Sequence, residues 1–276
     1  MALKYLYVPS GYIAGTAYGV LPNVAASDLD FVRITTATRI NADGLIETMG
    51  ANVPRLDYTD GSCPTLLTEP ERTNIAEYSE NTLSWNKNPS NWGGTRTSNA
   101  LTSPDGSNSA DLISVIQQSG VYMQTMNVTA GTTYSTSVYA KRISGTSTLK
   151  FSLTSNFYGG TSTSEKGIFV NLSDGSIISN TIGEFANVKV IDVGNGWYRL
   201  FLEGHVARAT GTATVTCYAQ NTSFMEYSIW GGQVEEGSFT SSSYIANLSN
   251  GTTTRSADTG IVTSDLSSYI NSTEGV

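Results

Sequence analysis

A chain of 276 residues is long enough for one large domain or for a domain with smaller flanking segments, each burying a core. Only 14% of the residues are charged and the formal net charge is −8, so the clustered Lys and Arg that release counterions from a nucleic acid are missing, and an anionic membrane surface would repel the chain. Hydrophobic residues make up 39%, and Ser, Thr, Asn and Gly fill much of the remainder, a composition suited to strands and turns.

The opening Met1-Ala2-Leu3-Lys4-Tyr5 lacks the apolar stretch of a signal peptide, and no run of 18 apolar residues follows, so synthesis and folding in a cytoplasm are expected. In that reducing setting Cys63 and Cys217 read as two buried free thiols rather than a disulfide. Asn-x-Ser/Thr triplets begin at Asn127, Asn171, Asn221, Asn247, Asn250 and Asn271; in so Ser/Thr/Asn-rich a chain they arise by chance.

Residues 1–74 are punctuated by Pro9, Gly15, Pro22, Gly44, Pro54, Gly61 and Pro70, which leaves no room for a long helix and predicts short strands and turns. Arg33, Arg39 and Arg55 stand near Asp30, Asp43 and Asp57 in sequence, a pattern that suits bidentate Arg–carboxylate pairs. From 75 to 240 the pattern changes to strands of five to ten residues separated by Gly, Asn, Asp or Ser clusters. Along Tyr134 to Lys141, the positions Tyr134, Thr136, Val138 and Ala140 form the expected core face, and two serines, Tyr139 and Lys141 the other. Leu149, Phe151 and Leu153 alternate with Lys150 and Ser152, and Ala213, Val215, Cys217 and Ala219 with Thr214, Thr216 and Tyr218. Both segments predict half-buried antiparallel strands. Gly194-Asn195-Gly196 predicts a hairpin before Trp197, and Asp174-Gly175 a second turn. Residues 241–276, rich in Ser, Thr, Gly and Asn, read as an extended arm or linker, with Leu266 to Ile270 as one more strand.

Chemistry is sparse. The single imidazole, His205, lies in the alternation Arg199-x-Phe201-x-Glu203-x-His205, which reads as the solvated side of a sheet rather than a catalytic elbow. Glu235-Glu236, Glu69/Glu71 and Glu77/Glu80 are the carboxylate pairs close in sequence; Glu235 and Glu236 point to opposite faces of a strand, and Glu69 and Glu71 are read as exposed in a Pro-containing loop, so no glycosidase pair is expected. Asp105, Asp174 and Asp192 sit in loops that present oxygens to calcium in some proteins, but their spacing is that of turns, and no cofactor is expected. Aromatics remain: Tyr122, Tyr139, Tyr158, Tyr218, Trp85, Trp92, Trp197 and Trp230. Sugar rings stack on such faces, and the candidate carbohydrate-binding set is Tyr139, Lys141, Arg199, His205 and Tyr218.

Two blocks resemble known proteins. Phe31-Val32-Arg33-x-Thr35-Thr36-Ala37-Thr38-Arg39-Ile40 through Asn52-Val53-Pro54-Arg55-Leu56-Asp57-Tyr58 to Glu69-Pro70-x-Arg72-Thr73-Asn74 resembles tail-fibre and head-fibre proteins of tailed bacteriophages. Ser103-Pro104-Asp105-Gly106 through Gly196-Trp197-Tyr198-Arg199-Leu200 to Trp230-Gly231-Gly232-Gln233-Val234-Glu235-Glu236-Gly237 is similar to their jelly-roll domain, itself similar to family 4 and 22 carbohydrate-binding modules. The resemblance implies an all-β, non-enzymatic virion protein. Its segment 1–74, with Arg33, Arg39, Arg55 and Asp57, would dock and oligomerise, as a trimer by preference; the jelly roll of 75–240 would project, and 241–276 would form the arm. Implied partners are other virion proteins and host-surface glycans, with no nucleic acid and no membrane. In relatives the stretch near Ser268 opens a further lectin-like sandwich, which this sequence is expected to lack.

Overall fold

The computed structural model of the protein describes residues 11–13, 16–18, 29–87, 94–116, 120–155, 157, 166–180, 185–219 and 223–261. Among these the regular structure is strand, apart from 3₁₀ geometry at Thr82–Ser84 and at Phe157. The Leu266–Ile270 strand, Trp92, Tyr158 and the side chain of Tyr122 lie outside the described residues.

The chain forms two units: one of residues 1–43, 47–71 and 255–276, the other of residues 44–46 and 72–254. The first begins with β1 (Gly11–Ile13), β2 (Thr16–Tyr18), β3 (Leu29–Val32), β4 (Ala37–Ile40), β5 (Ile46–Met49), β6 (Arg55–Asp57) and β7 (Thr65–Leu67). The second carries β8 (Arg72–Asn74), β9 (Asn86–Lys87), β10 (Gly94–Leu101), β11 (Ala110–Val115), β12 (Gly120–Val128), β13 (Thr133–Gly145) and β14 (Thr148–Ser155). It continues with β15 (Lys166–Asn171), β16 (Ser176–Asn180), β17 (Asn187–Asp192), β18 (Trp197–Val206), β19 (Gly211–Ala219), β20 (Met225–Glu236) and β21 (Thr253–Arg255). The chain then returns to the first unit with β22 (Thr259–Ile261).

The second unit is an antiparallel sandwich. One sheet runs β10-β11-β20-β13-β18-β17, with β8 and β21 attached; the other runs β16-β15-β14-β19-β12-β9. Each sheet joins hairpins of consecutive strands, β10-β11 and β17-β18 in one and β14-β15-β16 in the other, through strands distant in sequence, β11-β20-β13-β18 and β14-β19-β12, as in a jelly roll. The predicted alternations hold where they face the core: Tyr134, Val138 and Ala140 meet Leu149, Phe151, Leu153, Ala213, Val215 and Cys217 in one buried cluster. Each large apolar side chain so buried contributes roughly 1.5–3 kcal/mol. Both predicted hairpins form. β17 and β18 are closed by Val193 and Trp197, whose backbone N–H to C=O distance is 3.0 Å, and β15 and β16 by Gly175, which donates to Asn171 at 2.8 Å. Asn195 and Gly196 both adopt positive φ, 54° and 75°, the geometry that makes Asn-Gly the natural occupant of a tight hairpin.

The first unit is held by short ladders and polar side chains. β1, β2, β3 and β22 form one antiparallel sheet, with Phe31 opposite Gly260; β4 pairs with β5, and β6 with β7.

Residues 241–252 follow an irregular path, as an arm would, and lead into β21 and β22, but the segment is packed rather than free. Residues 241–254 belong to the sandwich unit and 255–261 to the first unit, and Tyr244, Ile245, Asn247 and Arg255 are buried. Side chains set among the serines make the difference: Tyr244 packs on Trp230 and Tyr139, the Asn247 amide donates to the Ala76 and Gly251 carbonyls, and Arg255 pairs with Glu69.

Candidate functional site

A two-sheet sandwich has two outer faces, and the expected carbohydrate-binding residues distribute over both. On the sheet containing β13, Tyr139 stands opposite Arg199 of β18 and Trp230 of β20. That face is closed. The stretch 238–247 lies across it: Tyr244 packs on Trp230 at 4.7 Å and on Tyr139 at 6.0 Å between ring centroids. The Arg199 guanidinium stacks over Tyr139 and Phe201 and donates to the Ser242 carbonyl at 3.0 Å. Two fully buried carboxylates fasten the same stretch by its backbone: Glu203 accepts from the Ser241 N–H at 2.8 Å, and Glu235 accepts from the Ser242 N–H at 2.9 Å and its hydroxyl at 2.5 Å. Tyr139 is therefore 2% exposed and Arg199 9%, so the expectation that they form an open ligand face is corrected. Sequence alternation identified a second face properly; it did not show that 238–247 would cover it.

His205 is corrected for a separate reason. The ladder between β13 and β18 shifts between Thr136, which faces Leu202, and Tyr134, which faces His205, so that β18 carries one extra residue. Gly204 takes φ 69° at this bulge. One extra residue sends every later side chain to the opposite face. His205 thus turns inward, edge-on to Phe157 at 5.3 Å and tilted on Phe185 at 5.5 Å, with Nε2 3.0 Å from the Phe157 carbonyl oxygen. The signal in the sequence was the glycine inside a strand.

Tyr218 stands on the other sheet. Lys150 of β14 is aligned with Phe169 of β15 on one side and Tyr218 of β19 on the other, and all three point away from the core to which Leu149, Phe151, Val215 and Cys217 belong. The Lys150 ammonium lies 5.3 Å from each of the two ring centroids. Phe169 and Tyr218 are half-buried, and Lys150 between them is 8% exposed. The next row along the strands pairs the Ser152 and Thr216 hydroxyls at 2.5 Å, and beyond it Thr154 is aligned with Thr214. Gly167 sits opposite Ser152, where a Cβ would come within 2.0 Å of the Phe151 carbonyl oxygen, so no side chain interrupts the row. Phe169 was not singled out in the sequence; its strand alternation points it outward beside Lys150.

Lys141 joins neither group. It lines a cavity of about 310 Å³ with Trp197, Thr102, Ser103, Pro104 and Asn195. Trp197 is buried there and donates Nε1–H to the Thr102 carbonyl at 3.1 Å. Trp85 and Trp230 are likewise buried, with their Nε1–H groups on Tyr78 O and Ser109 Oγ. The loop acids make turns: Asp105 accepts from Ser107 N, Asp174 from Ser176 N, and Asp192 from Gly194 N. Among the described residues no group of three His, Cys, Asp or Glu is placed to hold a metal ion.

The expected docking residues form internal contacts in the first unit, with partners other than the neighbouring aspartates. Arg33 pairs with Asp258 at 3.0 Å, Arg55 with Glu69 at 2.8 Å and with Asp258, and Arg255 with Glu69 at 2.6 Å. Arg39 pairs with Glu47 at 2.7 Å, and Asp57 caps the Ile40 N–H at 2.7 Å. Cys217 is buried as expected, whereas Cys63 is exposed, because its Gly-Ser-Cys-Pro turn has no sheet over it.

Fold and faces together define an all-β protein built on an antiparallel jelly-roll sandwich of two sheets. No family model and no curated protein matches the chain. Solved structures similar to it include the CBM22-1–GH10 modules of Clostridium thermocellum xylanase 10B complexed with xylohexaose, at 13% identity over 65% of this chain, with a TM-score of 0.38. This chain spans 30% of that one. The C-terminal family 22 module of the same enzyme is 16% identical over 62% of this chain and 94% of its own, with a TM-score of 0.36. The enzymatically active domain of tailspike protein 4 of bacteriophage CBA120 is 16% identical over 59% of this chain and 21% of its own, with a TM-score of 0.34.

Proposed function

We propose that this protein is a non-enzymatic attachment component of a tailed-phage virion that binds host-surface glycan through the outer face of the six-stranded sheet. The observation that carries the reading is the pair of half-buried rings, Phe169 and Tyr218, that flank Lys150, with the half-buried Thr154 and Thr214 further along the same strands beyond the buried Ser152 and Thr216: two aromatic rings for the C–H faces of sugars, and two hydroxyl-bearing residues for hydrogen bonds. Absence of catalysis is part of the proposal. It is supported by the burial of His205 between Phe157 and Phe185 and by the use of Glu203 and Glu235 as backbone acceptors. Virion docking and self-association are assigned to the first unit, on the resemblance of residues 31–74 to phage fibre proteins.

The test is retention of the full chain on immobilised host polysaccharides. Tyr218→Ala and Phe169→Ala should each weaken retention by about 5- to 10-fold with the melting temperature nearly unchanged, as expected for loss of one stacking ring. Retention equal to that of the unaltered chain in both variants would sink the proposed face. A second reading, a purely structural virion component, is favoured by the covered outer face of the other sheet, where Tyr244 fills the place a ligand would take. Electron microscopy of intact virions separates the two: the six-stranded sheet is open to solvent in the first and buried between virion proteins in the second.

A further inference from the structure

We infer that the cavity beside Trp197 is a second binding site, one that takes a single carboxylated sugar unit and holds its carboxylate on Lys141; the inference is independent of the six-stranded sheet's outer face. The cavity, of about 310 Å³, lies in the sandwich unit between Thr102, Ser103 and Pro104 of the β10–β11 connection, Lys141 of β13 and Asn195 of the β17–β18 turn. Lys141 is aligned with Trp197 across the β13–β18 ladder, and a Cβ on Gly196 would lie 3.6 Å from its Cε, so its stem runs beside that turn. Lys141 is half-buried and is the one charged residue of the lining. Among the described residues no hydrogen bond or ion pair engages its ammonium, the hydroxyl of the exposed Thr102 or the amide of the exposed Asn195. The acids of the two flanking loops, Asp105 and Asp192, accept from Ser107 N and Gly194 N, and neither lines the cavity.

These features select the ligand. The volume stands at the low end of the roughly 300–1,000 Å³ of small-molecule sites, so the occupant is one sugar unit rather than a run of polymer. A single cation matches a single negative charge; a phosphate dianion would leave one charge uncompensated, and the chain as a whole, at a formal −8, repels multiply charged ligands. A carboxylate on Lys141 forms a charge-assisted hydrogen bond, the Thr102 hydroxyl and the Asn195 amide meet sugar hydroxyls, and Pro104 and Trp197 face the ring C–H groups. The wall is already set before binding: the Trp197 Nε1–H is held by the Thr102 carbonyl at 3.1 Å, and the Ser103 hydroxyl donates to Asp105 at 2.6 Å. Binding therefore orders little besides the Lys141 side chain.

The experiment is saturation-transfer NMR titration of the full chain with methyl glucuronide, methyl galacturonide and methyl sialoside, each beside its carboxyl methyl ester, with acetate and inorganic phosphate as competitors. The expected result is tighter binding of at least one acid than of its ester. Lys141→Met should weaken that binding about 5- to 10-fold and leave the ester unaffected, and Lys141→Arg should keep most of it. Asn195→Gly, which suits the positive φ of 54° at that position, should weaken it about 2- to 5-fold with the fold retained, and so carries the test should Lys141→Met unfold. Tyr218→Ala should leave it unchanged. Equal binding of acid and ester, or binding unchanged in both cavity variants, overturns the inference. So does displacement by acetate or phosphate as effective as by the sugar acid, a loss in Tyr218→Ala, or no transfer to any probe. None of these outcomes except the loss in Tyr218→Ala bears on the six-stranded face, whose own test is retention on polysaccharide.

Discussion

Asp258 lies 225 residues beyond Arg33 in the chain and accepts from its guanidinium at 3.0 Å, with both side chains fully buried. Its other carboxylate oxygen takes Arg55 and the Glu69 N–H. Asp258→Ala leaves two buried guanidinium groups short of their shared anion, and removing one partner of such a pair costs about 3–5 kcal/mol. Urea unfolding of the full chain followed by intrinsic fluorescence measures it. A loss under 1 kcal/mol would mean that the network is solvated and unimportant to the first unit.

Tyr139 and Tyr218 were grouped by sequence and are separated by structure. Tyr139 lies under Tyr244 and beside Trp230, so Tyr139→Ala opens a cavity in a packed aromatic cluster and should cost about 3–5 kcal/mol. Tyr218→Ala, on a half-open face, should cost about 1 kcal/mol or less. Thermal unfolding of the two variants side by side gives the contrast; equal losses would place both residues in the core.

Burial raises the Glu80 carboxyl above its usual range, the hydrogen bond from Tyr244 works against that rise, and Asp105 adds to it. A carboxyl whose value is raised on folding favours the folded state most when protonated. Its contribution is fully present below the unfolded-state value and is lost as pH rises through the folded-state value. Glu80→Gln, which stays neutral and keeps the oxygen that accepts from Tyr244, should therefore show a shallower fall in unfolding free energy between about pH 4 and 7. Parallel pH profiles for the two proteins would contradict burial as the cause.

Gly204 forms the bulge of β18 with φ 69°, and a Cβ there would lie 2.5 Å from the Ala186 Cβ. Gly204→Ala should lose about 1–3 kcal/mol from left-handed strain and contact together. Circular dichroism melting reads the loss, and an unchanged melting temperature would show that the bulge relaxes freely.

Cys217 is fully buried and its thiol is pushed far above the ordinary range by desolvation, while Cys63 is exposed. Iodoacetamide on the native chain should add one carbamidomethyl group, at Cys63, and a second only after denaturation. Rapid native labelling of Cys217 in the mass spectrum would show that β19 opens.

The sequence by itself determined the class of fold and the inner faces. Val, Leu, Phe and Ala at every second position of Leu149–Leu153 and Ala213–Ala219 can bury only if they share a side, and Asn195-Gly196 favours a tight hairpin because both residues tolerate positive φ. It also placed Lys150 and Tyr218 on the polar side of their strands, which is where the candidate site lies. Only the tertiary structure decided what covers each polar side. Whether Tyr139 meets solvent depends on Tyr244, 105 positions away, and the carboxylate that Arg33 pairs with belongs to Asp258, 225 positions away. Contacts of that separation leave no periodic trace in a single sequence, since each requires the chain to have folded before the two residues become neighbours. His205 shows the same limit within one strand: alternation predicts its face until a single extra residue at Gly204 reverses it, and the stable register is selected by the Tyr134, Phe157 and Phe185 rings that receive the imidazole.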